Sequence, residues 1–475
     1  MSSSNSRRVV SLPKLGPPPI FSGSDPDIIV VGGGILGATF AARLGMDGKR
    51  VVMIERDMGT PETFRGEILL PGGRVALEKL GMKDIFNDVD GNELTRVAFY
   101  DIELGGQPEP AIYNHPAPGS LAMRHGSIVN ALRKKALAQK SVTVIEAVVK
   151  ELIKENGRVV GVKYHEKGKE EILEKRAPLV VVGDGHYSKL SKEFCINNSE
   201  VSDSCVIAFF LKNYIYQNNT HVIENSFGQP NAQVSVYNLN ERDTRCMIWV
   251  DGPTPANAKK YCEENVAPYV IDHMKKYFIE TLNDNPRISV VRCKRMAANF
   301  DITPGVLVLG DAFNARHPIA ASGMMVACQD IAFWWDVLKN KVTDLTDDKS
   351  MMDHMLQFRT ERHKWAFSTN VLAEVAHRLL CDRDETFVRM QQFMFKSLRS
   401  MSEEERSKPN DAANIFGGVE TDPKVLESVL NGILEGTIQE IYDNQPYLYA
   451  VWKANKLRRK WNAVLKEIMT SEAVI

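Results

Sequence analysis

Residues 27–55 read DIIVVGGGILGATFAARLGMDGKRVVMIE, and this stretch decides the fold. An apolar run at 27–31 predicts a strand, which enters a turn of three consecutive glycines and then a helix at 35–46. An Asp-Gly turn follows, and a second apolar run at 50–54 predicts another strand. The order strand, helix, strand predicts a βαβ unit in a parallel sheet.

The glycine turn also has the spacing of a dinucleotide-binding site. Gly32, Gly34 and Gly37 form G-x-G-x-x-G, and Glu55 ends the second strand 18 residues after the third glycine. Such glycines let the backbone approach a pyrophosphate at the helix N-terminus, while the acid accepts a ribose hydroxyl. The alternative is a tight turn with a solvated Glu55. The residues predicted to bind the cofactor in this unit are Gly32, Gly34, Ile35, Leu36, Gly37 and Glu55.

Two later segments carry similar chemistry. Residues 182–188 (VGDGHYS) and 309–318 (LGDAFNARHP) each follow a short apolar run that predicts a buried parallel strand. An Asp after such a strand can bind a ribose or ribityl hydroxyl, and the helix predicted next can direct its N-terminal dipole at a flavin ring. Either segment alone would be read as a turn. The added candidates for cofactor binding are Asp184, Asp311, Gly323 and Met324.

Composition narrows the class of protein further. Among 475 residues, 25% are charged and 44% are hydrophobic, which is typical of a folded globular protein. The net charge of −1 argues against nucleic acid as a partner. The seven cysteines are dispersed and include no C-x-x-C pair, so neither a disulfide framework nor a metal site is expected. Because the N-terminus lacks an apolar signal run, we expect a cytosol-facing, reducing location.

The order of the three nucleotide segments resembles the FAD-dependent monooxygenases of the aromatic-hydroxylase superfamily, which implies FAD as the cofactor. The implied fold class is α/β, with a Rossmann-type FAD-binding domain, an inserted antiparallel-sheet substrate domain and a helical C-terminal region. The predicted boundaries are a flexible N-terminal arm at 1–25, an FAD-binding domain at 26–200 and 296–340, a substrate-domain sheet at 201–295 with a part at 94–115, and a helical region at 341–475.

Within that superfamily, four strings resemble the squalene epoxidase (squalene monooxygenase) family. The resemblance runs from about residue 27 to residue 400, and the last string is specific to the family. The strings are IERD at 54–57, GEILLPGG at 66–73, HG at 125–126 followed by LRK at 132–134, and GDAFNARHP at 310–318 with GM at 323–324.

This resemblance assigns roles to individual residues. It implies that Glu55 and Arg56 hold the adenosine ribose and that Arg133 and Asp311 contact FAD. Arg65 is close to the position of the family's arginine. We give equal weight to two roles for Arg65: contact with the cofactor and a surface salt bridge. The segment implied to line the substrate side of the flavin is Arg316, His317 and Pro318. For His125 and His317 we favour a hydrogen-bonded structural role over acid–base catalysis.

The resemblance also implies an activity. The chain would be an enzyme that inserts one oxygen of O₂ into an alkene of squalene or a related isoprenoid, in sterol or triterpenoid biosynthesis. Electrons would come from NADPH through a separate flavoprotein reductase, at the cytosolic face of the endoplasmic reticulum membrane.

The alternatives are a flavoprotein of the same fold that acts on another lipid, as prenyl reductases do, and a non-catalytic relative that binds FAD or lipid. Candidate tunnel residues, each of which could instead be core, are Phe99, Phe209, Phe210, Ile319 and Met324.

Three positions depart from the family pattern. Leu70 stands where the family has glutamine, and Val97 stands where it has tyrosine. The loop at 319–324 reads IAASGM instead of a triple glycine. We therefore expect an altered flavin-side site and weak turnover of squalene.

Apolar residues recur at helical spacing over 425–441, with acidic residues between them, which predicts an amphipathic helix. No run of about 18 apolar residues occurs that could span a membrane. Aromatic and clustered basic residues occur together at 445–469. This pattern favours a helix on an anionic membrane surface, with a helix packed on its own domain as the equal alternative.

Overall fold

The computed structural model describes residues 16–17, 19–102, 110–194, 204–214, 221–228, 232–298 and 300–472. Most of the predicted N-terminal arm lies outside these ranges. The strands are β1 (Ile28–Val31), β2 (Val51–Glu55), β3 (Ile68–Leu69), β4 (Gly91–Leu94), β5 (Arg96–Asp101), β6 (Ala111–Asn114), β7 (Ser120–Met123), β8 (Val142–Glu155), β9 (Arg158–Glu166), β10 (Leu173–Arg176), β11 (Leu179–Val182), β12 (Ser204–Leu211), β13 (Val222–Gly228), β14 (Ala232–Asn238), β15 (Thr244–Asp251), β16 (Ser289–Arg292) and β17 (Val306–Val308). The helices are α1 (Ile35–Met46), α2 (Pro71–Lys79), α3 (His125–Leu137), α4 (Ala258–Tyr261), α5 (Asp272–Asn283), α6 (Gly323–Asn340), α7 (Asp348–Glu361), α8 (Ser368–Cys381), α9 (Glu385–Ser400), α10 (Glu403–Ser407), α11 (Asp411–Phe416), α12 (Pro423–Asn444) and α13 (Tyr447–Glu472).

The first sheet contains the βαβ unit that the glycine turn predicts. Its strand order is β10-β9-β8-β2-β1-β11-β17. Five neighbouring strands of this sheet are parallel to one another: β8, β2, β1, β11 and β17. Helix α1 begins and ends where the sequence predicts, and it packs against α3 and α6. Strands β11 and β17 are fully buried, as predicted for the runs before the two Gly-Asp segments. Because these strands run the same way, the segments that follow β1, β2, β11 and β17 meet at one edge of the sheet.

The second sheet has the order β16-β12-β15-β14-β13-β5-β6. The predicted α/β class with an inserted antiparallel sheet is confirmed, but the sheet is not antiparallel throughout, because β5 and β13 are parallel. Only strands joined by a short turn are constrained to be antiparallel, and a long stretch of chain separates this pair. A small third sheet has the order β3-β7-β4, and its strands flank β5 and β6 of the second sheet in the chain.

The two faces of the second sheet have different surroundings. On one face, side chains of β12, β14 and β15 pack against α5 in a single apolar cluster. On the other face, β14 and β15 contact α8, while β6 contacts α9. This second face borders the cavity described below.

The chain after residue 322 is mainly helical, as predicted. Helix α6 packs on α1 and α2, next to the first sheet. Helices α8, α9, α12 and α13 share an apolar core of their own. In the part of the chain that the structure describes, no helix has the length and hydrophobicity to cross a membrane.

Candidate active site

One cavity joins the carboxyl edge of the first sheet to the helices that cover the second sheet. Its volume is about 1340 Å³. At one end it is lined by the glycine turn and by the segments that follow β2, β11 and β17. At the other end it is lined by β5, β13, β14 and β15 and by α8, α9, α11 and α12. The site is thus elongated, and its two ends differ in chemistry.

The glycine turn is closely packed on one side and open on the other. A Cβ at Gly37 would lie 1.8 Å from the carbonyl oxygen of Gly32, so only glycine lets the helix pass this close to the strand end. A Cβ at Gly34 would meet no atom within 4 Å, because this residue borders the cavity. Helix α1 begins without a side-chain cap, which leaves its first N–H groups available to a ligand. The turn therefore fits a pyrophosphate.

Glu55 and Arg133 fix the backbone of this turn. The N–H of Gly33 donates to Glu55 Oε2 at 2.5 Å. Arg133 is buried on α3, and its guanidinium donates to the carbonyl oxygens of Gly33 at 2.7 Å and Gly59 at 2.9 Å. Arg133 therefore positions the backbone of the glycine turn. Predicted residues that also line the cavity here are Ile35, Leu36 and Arg56.

Asp184 and Asp311 both line the cavity with exposed side chains. No described residue forms a hydrogen bond with the Asp311 carboxylate, so it is available to a ligand hydroxyl. Arg65 also lines the cavity, with its guanidinium carbon 5.6 Å from the ring centroid of Tyr187. Arg65 forms no ion pair with a described residue, so the structure favours the cavity position over the predicted surface salt bridge.

The N-terminus of α6 faces the same region. Gly323 and Met324 open this helix and line the cavity. Ser322, the residue before the helix, makes no cap hydrogen bond, and its buried Oγ has no partner among the described residues. A Cβ at Gly323 would lie 3.7 Å from Asp311 Oδ1, which brings the helix end and the aspartate together. An uncapped helix N-terminus with an unpartnered hydroxyl suits the electron-rich edge of a flavin.

Hydrogen bonds within the segment after Asp311 and to helix α8 hold that segment in place. Arg316 is buried and donates to Asn314 Oδ1 at 2.9 Å. The backbone N–H of His317 donates to Glu374 Oε1 on α8 at 3.2 Å. Arg316, His317 and Pro318 all line the cavity. The structure thus brings the predicted flavin-side segment into contact with both the cavity and the helical region.

Hydrogen bonds occupy the two histidines that the sequence singles out. His317 Nε2 lies 2.8 Å from Ser204 Oγ, and its Nδ1 accepts from the N–H of Ile319 at 3.3 Å. His125 Nδ1 lies 3.2 Å from the carbonyl oxygen of Gly66. Burial lowers the pKa of both imidazoles, that of His317 well below its usual value. Both rings are therefore neutral near pH 7, which favours the predicted structural role.

The far end of the cavity is mainly apolar. Leu70 and Val97, the two departures from the family pattern, are 2% and 4% exposed and both lie in its wall.

Ala321, in the loop that replaces the triple glycine, has φ of 51°, a left-handed conformation that costs a residue with a Cβ roughly 1 kcal/mol. The backbone shape that glycine favours is thus retained here without glycine.

Two of the five candidate tunnel residues are not part of the cavity. Phe99, Ile319 and Met324 line it, whereas Phe209 and Phe210 do not. Phe209 points to the opposite face of the sheet, where its ring packs 5.6 Å from that of Phe278. Phe210 lies under the guanidinium of Arg245, with a distance of 3.8 Å between its ring centroid and the guanidinium carbon. The prediction is wrong for Phe209 because neighbouring residues of a strand alternate between faces, and for Phe210 because Arg245 lies over its ring.

The sequence analysis missed a set of polar residues in the apolar wall. They lie on the cavity face of the second sheet, at alternate positions of β14 and opposite them on β13 and β15. The polar residues at every second position of β14 were the available signal. The members of this set are Asn225, Gln233, Ser235 and Trp249.

The fold is that of solved flavin-dependent enzymes. A solved structure described as a probable FAD-dependent monooxygenase, PqsL from Pseudomonas aeruginosa, aligns with a TM-score of 0.59 at 17% identity, over 80% of this chain and 100% of that chain. The flavin-dependent brominase Bmp2 aligns with a TM-score of 0.64 at 12% identity, over 86% of this chain and 98% of that chain. At such identities the likeness establishes the fold alone.

Sequence comparison gives the family: the chain belongs to the squalene epoxidase family. The profile of that family matches residues 176–452. The squalene monooxygenase of Rattus norvegicus is 33% identical over 376 residues, which cover 78% of this chain and 65% of that protein. Squalene epoxidase 6 of Arabidopsis thaliana is 32% identical over 442 residues, or 91% of this chain and 84% of that protein. The chain thus spans slightly less than two thirds of the length of its rat relative.

Proposed function

We propose that this chain is an FAD-dependent monooxygenase that transfers one oxygen atom of O₂ to an alkene of an isoprenoid lipid. The observation that carries the proposal is the single cavity that joins a dinucleotide cradle to an apolar pocket. A cofactor bound at one end and a hydrocarbon chain at the other would meet beside Arg316, His317 and Pro318. Membership of the squalene epoxidase family supports the same activity.

The residues that would hold FAD follow from the cradle. The glycine turn and the N-terminus of α1 would bind the pyrophosphate, Glu55 and Arg56 would lie at the adenosine ribose, and Asp311 would accept a hydroxyl of the ribityl chain. The N-terminus of α6 would face the flavin ring. When bound and reduced, FAD supplies the activation of O₂ that epoxidation of an alkene needs.

The chain's own residues would keep this chemistry dry and oriented. The walls contributed by α8, α9 and α12 are mainly apolar and exclude water from the far end of the cavity. His317 is neutral and engaged at both ring nitrogens, so it holds the loop and does not deliver a proton near pH 7. The Glu374 carboxylate positions that loop from α8.

We propose that electrons arrive from NADPH through a separate flavoprotein reductase, at the cytosolic face of the endoplasmic reticulum. The support for membrane contact is the first turn and a half of α13. Tyr447, Leu448 and Trp452 are 74%, 82% and 57% exposed there, and Lys456 lies over the ring of Trp452. Exposed aromatic and aliphatic side chains beside lysine suit a peripheral contact with an anionic bilayer.

Product analysis tests the proposed reaction. The purified protein, checked for flavin absorbance, is supplied with a flavoprotein reductase, NADPH, ¹⁸O₂ and a set of polyprenoid alkenes. We expect a product that has gained one labelled oxygen atom. A product that has gained two hydrogen atoms and no label would support the prenyl-reductase alternative. A protein that binds flavin but converts no alkene would support the non-catalytic alternative.

A further inference from the structure

A hydrogen-bonded cluster of polar side chains lies in the otherwise apolar wall of the cavity. It consists of Asn225 on β13, Gln233 and Ser235 on β14, and Trp249 on β15. Asn225 is paired with Ser235, and Gln233 with Trp249, so all four side chains share one face of the sheet. Each residue is at most 6% exposed. We call these four residues the polar cluster.

The polar cluster is joined by short hydrogen bonds. Gln233 Nε2 donates to Asn225 Oδ1 at 2.7 Å and to Ser235 Oγ at 3.0 Å. Ser235 Oγ donates to Asn225 Oδ1 at 2.7 Å and accepts from Trp249 Nε1 at 3.1 Å. Asn225 Nδ2 donates to the carbonyl oxygen of Ala98 at 3.3 Å. The network therefore ends at a backbone group on one side and at an indole on the other.

These two end groups fix the orientation of both amides. The carbonyl of Ala98 can only accept, so Nδ2 of Asn225 must face it and Oδ1 must face the rest of the cluster. That oxygen requires donors, so the amide of Gln233 must present Nε2 to it. Both hydrogens of Nε2 are then used. The side-chain oxygen of Gln233, Oε1, is left without a partner among the described residues.

An unpaired amide oxygen is unfavourable in this position. The neighbouring cavity wall is formed by apolar side chains, including Leu70, Val97 and Met247. A pure hydrocarbon bound against this wall would leave the oxygen unpaired, whereas a ligand with an O–H group would satisfy it. The ring of Trp249 is 6.1 Å from that of His317, which places the polar cluster beside the flavin-side segment.

We propose that the substrate is an isoprenoid alcohol, whose hydroxyl group donates a hydrogen bond to Oε1 of Gln233 once the side chains that cover this buried oxygen shift slightly. This inference rests on the proposed function, since it assumes that the isoprenoid binds in this cavity. The hydroxyl lies near the reacting end of the ligand, because the polar cluster is next to His317. The remaining chain extends among α8, α9 and α12.

Equilibrium dialysis of the FAD-loaded protein with tritiated geranylgeraniol tests the inference without requiring turnover. The comparison ligand is the methyl ether of the same alcohol, which keeps the oxygen and loses the donated hydrogen. We expect the alcohol to bind at least about tenfold more tightly than the ether. Equal binding of the two ligands would overturn the inference and would indicate that ordered water satisfies Gln233.

Two variants test whether the preference for the alcohol depends on Gln233. In Gln233→Leu the preference for the alcohol should vanish, while Ser397→Ala, a change at another polar position of the cavity wall, should keep it. A preference that persists in Gln233→Leu would overturn the assignment to this residue. The comparison of ligands on the unmodified chain stands even if Gln233→Leu fails to fold.

The two proposals can fail separately. A protein that prefers the alcohol through Gln233 but forms no oxygenated product supports this inference and contradicts the monooxygenase. A protein that oxygenates hydrocarbons without preferring the alcohol supports the monooxygenase and contradicts this inference.

Discussion

Glu67, the residue before β3 of the small third sheet, forms a buried, bidentate ion pair with Arg245 of the second sheet. The carboxylate oxygens of Glu67 lie 2.8 and 2.7 Å from Nε and Nη2 of Arg245, and the two side chains are 2% and 8% exposed. Burial raises the pKa of Glu67, so the arginine beside it is needed to keep the carboxylate ionised. Glu67 precedes β3 and Arg245 lies on β15, so the pair holds the second sheet over the cofactor region.

We expect Glu67→Gln to destabilise the fold strongly. The change leaves the charge of Arg245 buried without a counter-ion, which costs about 3–5 kcal/mol. The control is Asp90→Asn, because Asp90 pairs with Arg242 at the surface, with side chains 56% and 78% exposed. That change should cost less than about 1 kcal/mol. Urea unfolding of both variants measures the difference, and equal losses would mean that the buried pair has no special role.

His115 should make stability depend on pH. Burial lowers its pKa to about 4, from an ordinary value of 6.5. The folded state then binds fewer protons than the unfolded chain, so this contribution is complete above pH 6.5 and is lost as pH falls toward 4. The loss amounts to as much as about 3 kcal/mol. Urea midpoints between pH 7 and pH 4 should fall less in His115→Phe than in the unmodified chain, and equal falls in the two proteins would contradict the prediction.

The sequence predicts the cofactor end of the molecule well, because local rules determine it. The glycine spacing, the length of α1 and the acid at the end of β2 are properties of one short segment, and the structure has them where the sequence puts them. Strands β11 and β17 are also recognisable from composition, since a fully buried parallel strand has no polar face.

The substrate end could not be predicted in the same way, because its character depends on distant elements. In β14, Gln233 and Ser235 alternate with apolar residues, as in any sheet with one solvated face. They become part of a cavity wall only because helices from the C-terminal region cover that face. Similarly, α13 has aromatic residues on two sides: Trp461 enters the helical core, whereas Trp452 stays exposed.

Asp311 offers a test of the proposed FAD site that separates binding from folding. Its carboxylate is exposed in the cavity and has no hydrogen-bond partner among the described residues. Asp311→Ala should therefore leave the free energy of unfolding within about 0.5 kcal/mol while weakening FAD binding roughly tenfold. Flavin fluorescence titration measures the affinity, with the surface change Asp353→Ala as the control. Unchanged affinity in Asp311→Ala would rule out this residue as a ligand of FAD.

Membrane contact is best tested by point changes in α13. Removing the whole helix would expose core residues, since Trp461 packs against α8, α9 and α12. Leu448→Glu/Trp452→Glu places two charges on the exposed face and should markedly reduce sedimentation with anionic liposomes. Val419→Glu, at an exposed apolar position outside α13, is the control. Equal binding by all three proteins would exclude this face as the contact.

The last prediction concerns Leu70 and Val97, two buried apolar residues that we expect to stand where the family has a polar pair. Losing a placed donor in a dry site can lower a rate by about 10²–10³, so squalene should be turned over weakly. Leu70→Gln and Val97→Tyr alone should each be no better, because a single polar group there is buried without its partner. The double variant restores the pair and should recover activity by at least about tenfold, a non-additive gain.

Epoxide formation by the four proteins, matched for FAD content and supplied with reductase, NADPH and O₂, measures this gain. Non-additivity is the informative quantity, because a general improvement in folding or cofactor loading would raise single and double variants alike. Robust squalene turnover by the unmodified chain would contradict the prediction. It would show that Leu70 and Val97 serve a hydrocarbon substrate as well as the polar pair does, and the unpaired oxygen of Gln233 would then need a partner other than the substrate.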